Sequence, residues 1–245
     1  MKKVNRLGLN IDHIAFIKKS RGTAYPSLIK SVQIAQEAGV DLITIHLRED
    51  RRHIQDQDVI DIRKNTKILN LEMAHTDEMI NIALKAKPNF CCIVPEKREE
   101  ITTEGGLNLL NLKKINQLNK LKNTISDFND NDIKTSIFID PDPKQISIAK
   151  EVNANFIELH TGHYANHSKI DSNPHLENLK KALELGLKKG LVVNAGHGLN
   201  YENIKPICKL GFHELNIGHA IIAKSVFVGL KDAIREMISI IKSCD

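Results

Sequence analysis

Residues 46–53, HLREDRRH, concentrate ionisable side chains directly after an apolar stretch. The two imidazoles titrate near neutral pH, and the three guanidinium groups have the fork geometry that binds phosphate or carboxylate. This combination predicts the rim of an active site that holds an anionic substrate and moves protons. A solvated loop of mixed charge is the alternative for a single run of this kind, but comparable clusters recur along the chain.

Two glutamates stand inside apolar segments. Glu72 lies in LNLEM, and Glu158 repeats the arrangement in FIELH. Apolar surroundings penalise the charged carboxylate, so they raise its pKa towards the range of a general base. A buried glutamate that is paired with a neighbouring cation is an equally good interpretation of either residue taken alone.

Strand-like apolar segments alternate with helical patterns through the whole chain, eight of each. The alternation predicts a parallel sheet, and eight strands close a TIM barrel; an open doubly wound sheet stays possible, because periodicity does not reveal closure. We expect residues 1–245 to form a single α/β domain, a parallel eight-stranded (β/α)8 TIM barrel with extra short helices. Residues 109–121 and 223–242 each read as one helix, and 123–133 as a polar loop. The predicted strands are 7–11, 42–47, 67–73, 90–95, 134–140, 156–160, 191–196 and 213–218.

Every predicted strand delivers an ionisable or amide group to its C-terminal end, where barrel enzymes carry their chemistry. The last two strands end in AGHG (195–198) and IGHA (217–220), and glycines there would let backbone N–H groups bind phosphate at a helix N-terminus. The strand-end residues are Asn10, Asp12, His13, His46, Arg48, Glu72, Glu96, Asp140, Glu158, His160, Asn194, His197, Asn216 and His219.

Composition argues against several other classes of protein. Lys and Arg number 35 against 30 acidic residues, and the charge is dispersed, with 4% aromatic residues and no Trp, so nucleic-acid binding is not expected. We also expect no membrane span and no signal peptide, hence a cytoplasmic protein. The four cysteines lack CxxC spacing, and HxH, HExxH and GxSxG motifs are absent from the sequence. These absences predict no disulfide framework, no metal site and no serine hydrolase.

Eight stretches, in order along nearly the whole chain, stand out together: NIDHIA (10–15), RGTAYP (21–26), HLREDRRHI (46–54), NLEMA (70–74), residues 87–106, FIELHTG (156–162), VNAGHGLNY (193–201) and HELNIGHAII (213–222). Together they resemble the pyridoxine 5'-phosphate synthase family. The resemblance implies a TIM-barrel, transferase-type synthase of vitamin B6 biosynthesis that works as a homo-octamer and needs no cofactor. Its two phosphorylated substrates would be 1-deoxy-D-xylulose 5-phosphate and 3-amino-2-oxopropyl phosphate, condensed to pyridoxine 5'-phosphate, inorganic phosphate and water.

The resemblance also implies roles for individual residues. His46 and Glu72 correspond to proton acceptors, His197 to the proton donor, and Glu158 to a group that stabilises charge in a transition state. The amino-ketone phosphate would be held by Asn10, Arg21, Gly198, Gly218 and His219, and the deoxyxylulose phosphate by Asp12, His13, Arg48, His53 and Thr102.

Two rival functions come from other classes. A barrel isomerase or aldolase acting on one sugar phosphate would need one phosphate clamp and fewer acid–base groups. A non-catalytic phosphate-binding protein would not need Glu72 and Glu158 buried opposite histidines. Segments 109–121 and 163–174 are the parts of the chain that depart from the family.

Overall fold

The computed structural model describes residues 5–96, 105–167 and 173–244. Eight parallel strands close into a barrel in chain order, with the last strand pairing to the first. The expected TIM barrel is therefore confirmed, and the open sheet is excluded. The strands are β1 (Arg6–Asn10), β2 (Leu42–Leu47), β3 (Leu69–Met73), β4 (Phe90–Ile93), β5 (Lys134–Ile139), β6 (Phe156–His160), β7 (Val192–Gly196) and β8 (Glu214–Ile217).

The described residues also form twelve helices, including short ones that the sequence patterns predict only in general terms. No helix among the described residues has the length and apolar character needed to span a bilayer. The helices are α1 (Asp12–Ser20), α2 (Leu28–Ala38), α3 (Asp56–Asn65), α4 (Asp77–Ala86), α5 (Leu109–Lys114), α6 (Leu118–Asp130), α7 (Pro143–Glu151), α8 (Gly162–Asn166), α9 (Pro174–Lys188), α10 (Ile204–Leu210), α11 (His219–Val228) and α12 (Leu230–Lys242).

Three predictions of local structure are wrong. Residues 109–121 are not one helix, because Asn116 adopts a left-handed backbone with φ of 56° between α5 and α6. Residues 223–242 are likewise divided between α11 and α12 at Gly229, which has φ of 82°. The polar segment 123–133 is not a loop, since α6 continues through it to Asp130. Its apolar face buries Ile125 and Phe128, and that packing outweighs its many polar residues.

Alternate side chains along each strand point to opposite faces of the barrel wall. The outward set is apolar: Leu69 and Leu71 of β3 are completely buried beneath the helices. The inward set is largely polar, with Thr44 of β2, Asn70 of β3 and Asn216 of β8 all buried inside the barrel. The core therefore lies between the strands and the helices, and the barrel interior holds polar groups that must satisfy one another.

Candidate active site

His46 is fixed in position by contacts from three other strand ends. Its backbone N–H donates to Oδ1 of Asp12 at 2.9 Å, and its Nε2 lies 2.9 Å from Oε1 of Glu96. Glu72 is the register partner of His46 on the adjacent strand, and its Oε2 lies 4.0 Å from Nδ1 of His46. Each of the two ring nitrogens thus lies near a carboxyl group.

Glu96 is a site residue that sequence reasoning noted only as a strand-end group. Burial acts to raise its pKa, but the hydrogen bond with His46, the charge of His46 and the N–H of Glu49 together lower it. In the neutral form of His46, the ionised Glu96 accepts a hydrogen bond from Nε2–H, and Nδ1 is then the unprotonated nitrogen that faces Glu72. That tautomer suits a proton acceptor.

Glu158 lies deeper in the barrel and is 3% exposed. Its Oε2 accepts a hydrogen bond from Nδ2 of Asn216 at 2.8 Å. Oδ1 of Asn216 accepts in turn from the hydroxyl of Thr44 at 3.1 Å. Burial, with a smaller contribution from Glu214, raises the pKa of Glu158 to about 8 despite the Asn216 hydrogen bond. Glu158 therefore keeps a proton near neutral pH.

The pKa of Glu72 is raised well above its usual range, first by burial and then by the carboxylates of Glu158 and Asp12. This agrees with the expectation from the sequence that apolar surroundings raise the pKa of Glu72. The alternative interpretation is that a lysine or arginine pairs with Glu72. Among the described residues, His46 is the only basic residue with a side-chain nitrogen within 4.0 Å of the Glu72 carboxyl group. Glu72 is a strong base once its proton is lost.

The sequence indicated Asn216 only as a strand-end group and did not indicate Thr44, although both belong to the network that holds Glu158 in place. The signal for them is weak but present. Both lie at inward positions of the period-two alternation, in strands whose outward residues are apolar. A polar side chain at an inward barrel position needs a partner, and here the partner is the network that ends on Glu158.

His197 follows β7 in an unusual backbone conformation, with φ of 85°. The hydroxyl oxygen of Thr161 lies 2.8 Å from the carbonyl oxygen of Gly196 and 2.5 Å from that of His197, so its one proton is shared between the two carbonyls and holds the turn. Burial, and then the neighbouring His160, lower the pKa of His197 to about 4. The imidazole is therefore neutral in the unliganded site, and a nearby anion is required before it can act as a proton donor.

One end of the candidate site is formed by the beginnings of α1 and α11. The rings of His13 and His219 lie 4.9 Å apart, and burial followed by the charge of His219 lowers the pKa of His13. Gly218 approaches Asn10 so closely that an added Cβ would lie 3.0 Å from the Cβ of Asn10. Helix N-termini attract anions, so this end of the site suits a phosphate.

Gly198 lies on the next strand end and has φ of 76°. A Cβ at this position would lie 2.7 Å from the Cβ of Ala165. Both the backbone angle and the close approach therefore require glycine there.

A second basic region lies beyond β2. Arg48 is 3% exposed, and its Nε lies 3.6 Å from Oδ1 of Asp50. Nδ1 of His53 accepts the N–H of Ile54 at 2.9 Å, so the proton of the neutral ring is on Nε2. Its ring centre lies 6.2 Å from that of His46. Burial lowers the pKa of His53, and an anion bound beside it would raise that pKa again.

Two of the predicted binding residues stay predictions, because no contact among the described residues tests them. Arg21 is exposed directly after α1, and nine helical residues carry it about 13 Å from the start of that helix. Thr102 lies outside the described residues. The other predicted residues (Asn10, Asp12, His13, His46, Arg48, His53, Glu72, Glu158, His197, Gly198, Gly218 and His219) follow or end strands on the C-terminal face of the barrel.

Three of these residues also have the geometry of a cation site. One ligand atom each from Asp12, His46 and Glu72 lies within 4.8 Å of the others. Sequence spacing predicts no metal site, and it could not reveal this cluster, because its members come from three adjacent strand ends. Two carboxylates and an imidazole suit a divalent transition metal such as Zn²⁺. The same three groups are the candidate substrate and proton-transfer residues.

Comparisons with known proteins show which family and fold this chain resembles. A profile of the family described as pyridoxal phosphate biosynthesis protein PdxJ matches residues 7–243. A protein of Blochmanniella pennsylvanica named pyridoxine 5'-phosphate synthase is 51% identical over 240 residues, 96% of each chain. One of the same name from Thioalkalivibrio sulfidiphilus is 51% identical over 95% of this chain and 94% of that protein. The solved structure of KGPDC from Streptococcus mutans, 14% identical, superposes with a TM-score of 0.65 over 98% of this chain and 99% of that one. That likeness shows the fold alone.

Proposed function

We propose that this chain, which belongs to the PdxJ family of pyridoxal phosphate biosynthesis proteins, is a pyridoxine 5'-phosphate synthase. The reaction would condense 1-deoxy-D-xylulose 5-phosphate with 3-amino-2-oxopropyl phosphate, giving pyridoxine 5'-phosphate, inorganic phosphate and water. Relatives with that name are about half identical to this chain over nearly its full length. The membership is the observation that carries the proposal, and the site geometry supports it.

The chemistry consists mainly of proton transfers: imine formation, phosphate elimination, ring closure and dehydration. His46 would accept a proton at Nδ1, because Glu96 occupies its Nε2. Glu72 keeps its own proton while its pKa is raised. A cationic imine nearby would lower that pKa and release the proton, and the resulting carboxylate would accept a proton from the intermediate. The neighbouring positions of the two groups in register allow both to serve one bound intermediate.

His197 would act in the opposite direction. Burial and the neighbouring His160 hold the pKa of its imidazole at about 4, so the ring is neutral near pH 7. A phosphate dianion beside the ring favours the imidazolium and raises that pKa. Substrate binding itself would therefore protonate His197 and make it a proton donor. Glu158, protonated near neutral pH, would stabilise developing charge without placing a fixed negative charge against the substrates.

Two phosphorylated substrates require separate clamps. The region around His13, Gly218 and His219 would hold one phosphate, and Arg48 with His53 would hold part of the other substrate. Asn10, Asp12 and Gly198 complete the proposed binding residues, together with Arg21 and Thr102, whose roles stay predictions. A cytoplasmic location also stays a prediction.

Self-association into a homo-octamer, which the family resemblance implies, is part of the proposal. Phe227 is 88% exposed and Val226 is 73% exposed on α11. Side chains of this kind are often covered by another protein surface. Sedimentation velocity of the purified chain tests the prediction, and a monomer at micromolar concentration would contradict it.

The first experiment mixes the purified protein with both phosphorylated substrates and follows inorganic phosphate and pyridoxine 5'-phosphate together. Formation of both products, dependent on both substrates, is expected. Turnover of a single sugar phosphate would instead favour an isomerase or aldolase, and binding without turnover would favour a phosphate-binding protein. The His46→Ala variant should keep its circular dichroism spectrum and lose product formation. Normal activity in that variant would remove His46 from the mechanism.

A further inference from the structure

None of the proposed roles uses the contact between His160, which is buried, and Asp140, whose side chain is 45% exposed. His160 ends β6 and is 3% exposed, while Asp140 follows β5. Oδ1 of Asp140 lies 3.1 Å from Nδ1 of His160 and also accepts the N–H of Gly106 at 3.0 Å. The hydrogen bond from His160 is the largest cause of a lowered pKa at Asp140. The Asp140 carboxylate thus fixes the orientation of the His160 ring and holds a proton on its Nδ1.

The other nitrogen of His160 faces the candidate active site. Nε2 is buried and finds no hydrogen-bond partner among the residues that the structure describes. The ring centre of His160 lies 5.0 Å from that of His197. A Cβ added to Gly162 would lie 2.4 Å from Nε2 of His160 and 3.1 Å from Cδ2 of His197. The absence of a side chain at Gly162 is therefore what lets the two imidazoles approach each other.

We propose that His160, held by Asp140, is a positioning residue that controls how readily His197 takes up a proton. The two rings lie close enough for a proton on one to oppose the protonation of the other, and after burial His160 is the neighbour that lowers the pKa of His197. His197 would then stay neutral until the negative charge of a phosphate compensates. The inference rests on the proposed function only for the role of His197 as proton donor.

Other ionisable groups surround this pair and also influence the protonation of His197. The ring of His163, on α8, lies 5.7 Å from that of His160. Glu158 lies two residues before His160 on β6. Gly196 packs against its carboxyl group, because a Cβ added to Gly196 would lie 2.1 Å from Oε1 of Glu158. Glu158 keeps its proton near neutral pH, so Asp140 is the anion that faces His160 directly. His163 is exposed and provides a matched control.

The test measures the ring resonances of His197 by NMR as a function of pH, without substrates, in the intact protein. In His160→Gln, the midpoint of His197 should rise by about 0.5 to 2 pH units, the range for a charge at this separation. His163→Gln, which removes an imidazole of the same cluster from the solvent side, should leave the midpoint where it is in the wild type. An unchanged midpoint in a folded His160→Gln protein would overturn the proposal.

Should His160→Gln not fold, the wild-type titration decides the question. Coupled imidazoles show a two-step response of the His197 signal, with one step at the midpoint of His160. A single-step curve with no trace of the His160 titration would overturn the proposal.

A kinetic readout separates this role from simple structural support. With both substrates, the alkaline limb of kcat in His160→Gln should move in the same direction as the His197 midpoint, because a proton donor becomes inactive when it loses its proton, while both KM values stay unchanged. A loss of kcat with an unmoved alkaline limb would assign His160 a structural role only. If the wild type makes no product, the proposed function fails while the titration result stands by itself.

Discussion

Replacing Glu158 by glutamine should stabilise the protein at alkaline pH while damaging its proposed activity. The carboxyl group is 3% exposed, and burial raises its pKa to about 8 from the ordinary value of 4.5. Across that interval the folded protein keeps a proton that the unfolded chain releases. The free energy of unfolding therefore falls as pH rises from 4.5 to 8, and glutamine removes this dependence.

The size of the effect follows from the same interval. Each pH unit between 4.5 and 8 corresponds to about 1.4 kcal/mol, which sets an upper bound of about 5 kcal/mol on the penalty. Relaxation and water entry reduce such penalties, so we expect about 2 to 4 kcal/mol at pH 8. Glutamine keeps an oxygen that can accept the hydrogen bond from Asn216, which in the wild type is 2.8 Å long. Its amide nevertheless leaves an extra donor, and the two proteins should be nearly equal in stability at pH 4.5.

Urea unfolding of wild type and Glu158→Gln at several values between pH 4.5 and pH 8.5 measures this difference directly. Glu184→Gln, at an exposed position of α9, is the matched control and should follow the wild type throughout. The reasoning is refuted if the difference between wild type and Glu158→Gln stays constant with pH. In the synthase assay, kcat of Glu158→Gln should fall by about 100-fold, the scale of losing one stabilising group in a transition state.

Two further predictions concern the same face of the barrel. Gly162→Ala should lower the free energy of unfolding by about 1 to 3 kcal/mol, because its Cβ would lie 2.4 Å from Nε2 of His160; thermal unfolding checks this, and a neutral change would show that the ring moves aside at no cost. Zn²⁺ should inhibit competitively with substrate by binding Asp12, His46 and Glu72, whose ligand atoms lie within 4.8 Å of one another. Isothermal titration calorimetry should detect the ion on the wild type and lose it in Glu72→Gln, whereas equal binding by both would place the ion elsewhere.

Much of the fold could be predicted, because the eight strands are short apolar segments separated by helical patterns. Strand ends such as His46 and Glu72 follow from the same alternation, since all parallel strands of a barrel end on one face. The division of the helices at Asn116 and Gly229 could not be predicted, because a single positive φ leaves only a weak local signal. The packing of α6 against the barrel was missed for a different reason: its composition is polar, and its buried face is narrow.

The electrostatic relations inside the site were beyond the sequence. The burial of Glu158 agrees with the apolar pattern of FIELH, yet its hydrogen bond with Asn216 joins residues 58 positions apart. The pairing of His46 with Glu96 joins residues 50 positions apart. Contacts of this kind depend on the stagger of neighbouring strands, which periodicity does not specify. For this reason, the sequence located the ionisable groups without predicting their protonation states.

The pairing of β1 with β8 has a consequence for synthesis on the ribosome. His13 follows the first strand and His219 follows the last. The centres of their rings lie 4.9 Å apart at the seam of the barrel, where β1 pairs with β8. Six other strands must emerge between them before the seam can close, so a nascent chain holds an open sheet edge for most of its translation. A phosphate bound across the seam would link the earliest and the latest parts of the chain to be made. The ligand would then slow the reopening of the barrel as well as occupy the site.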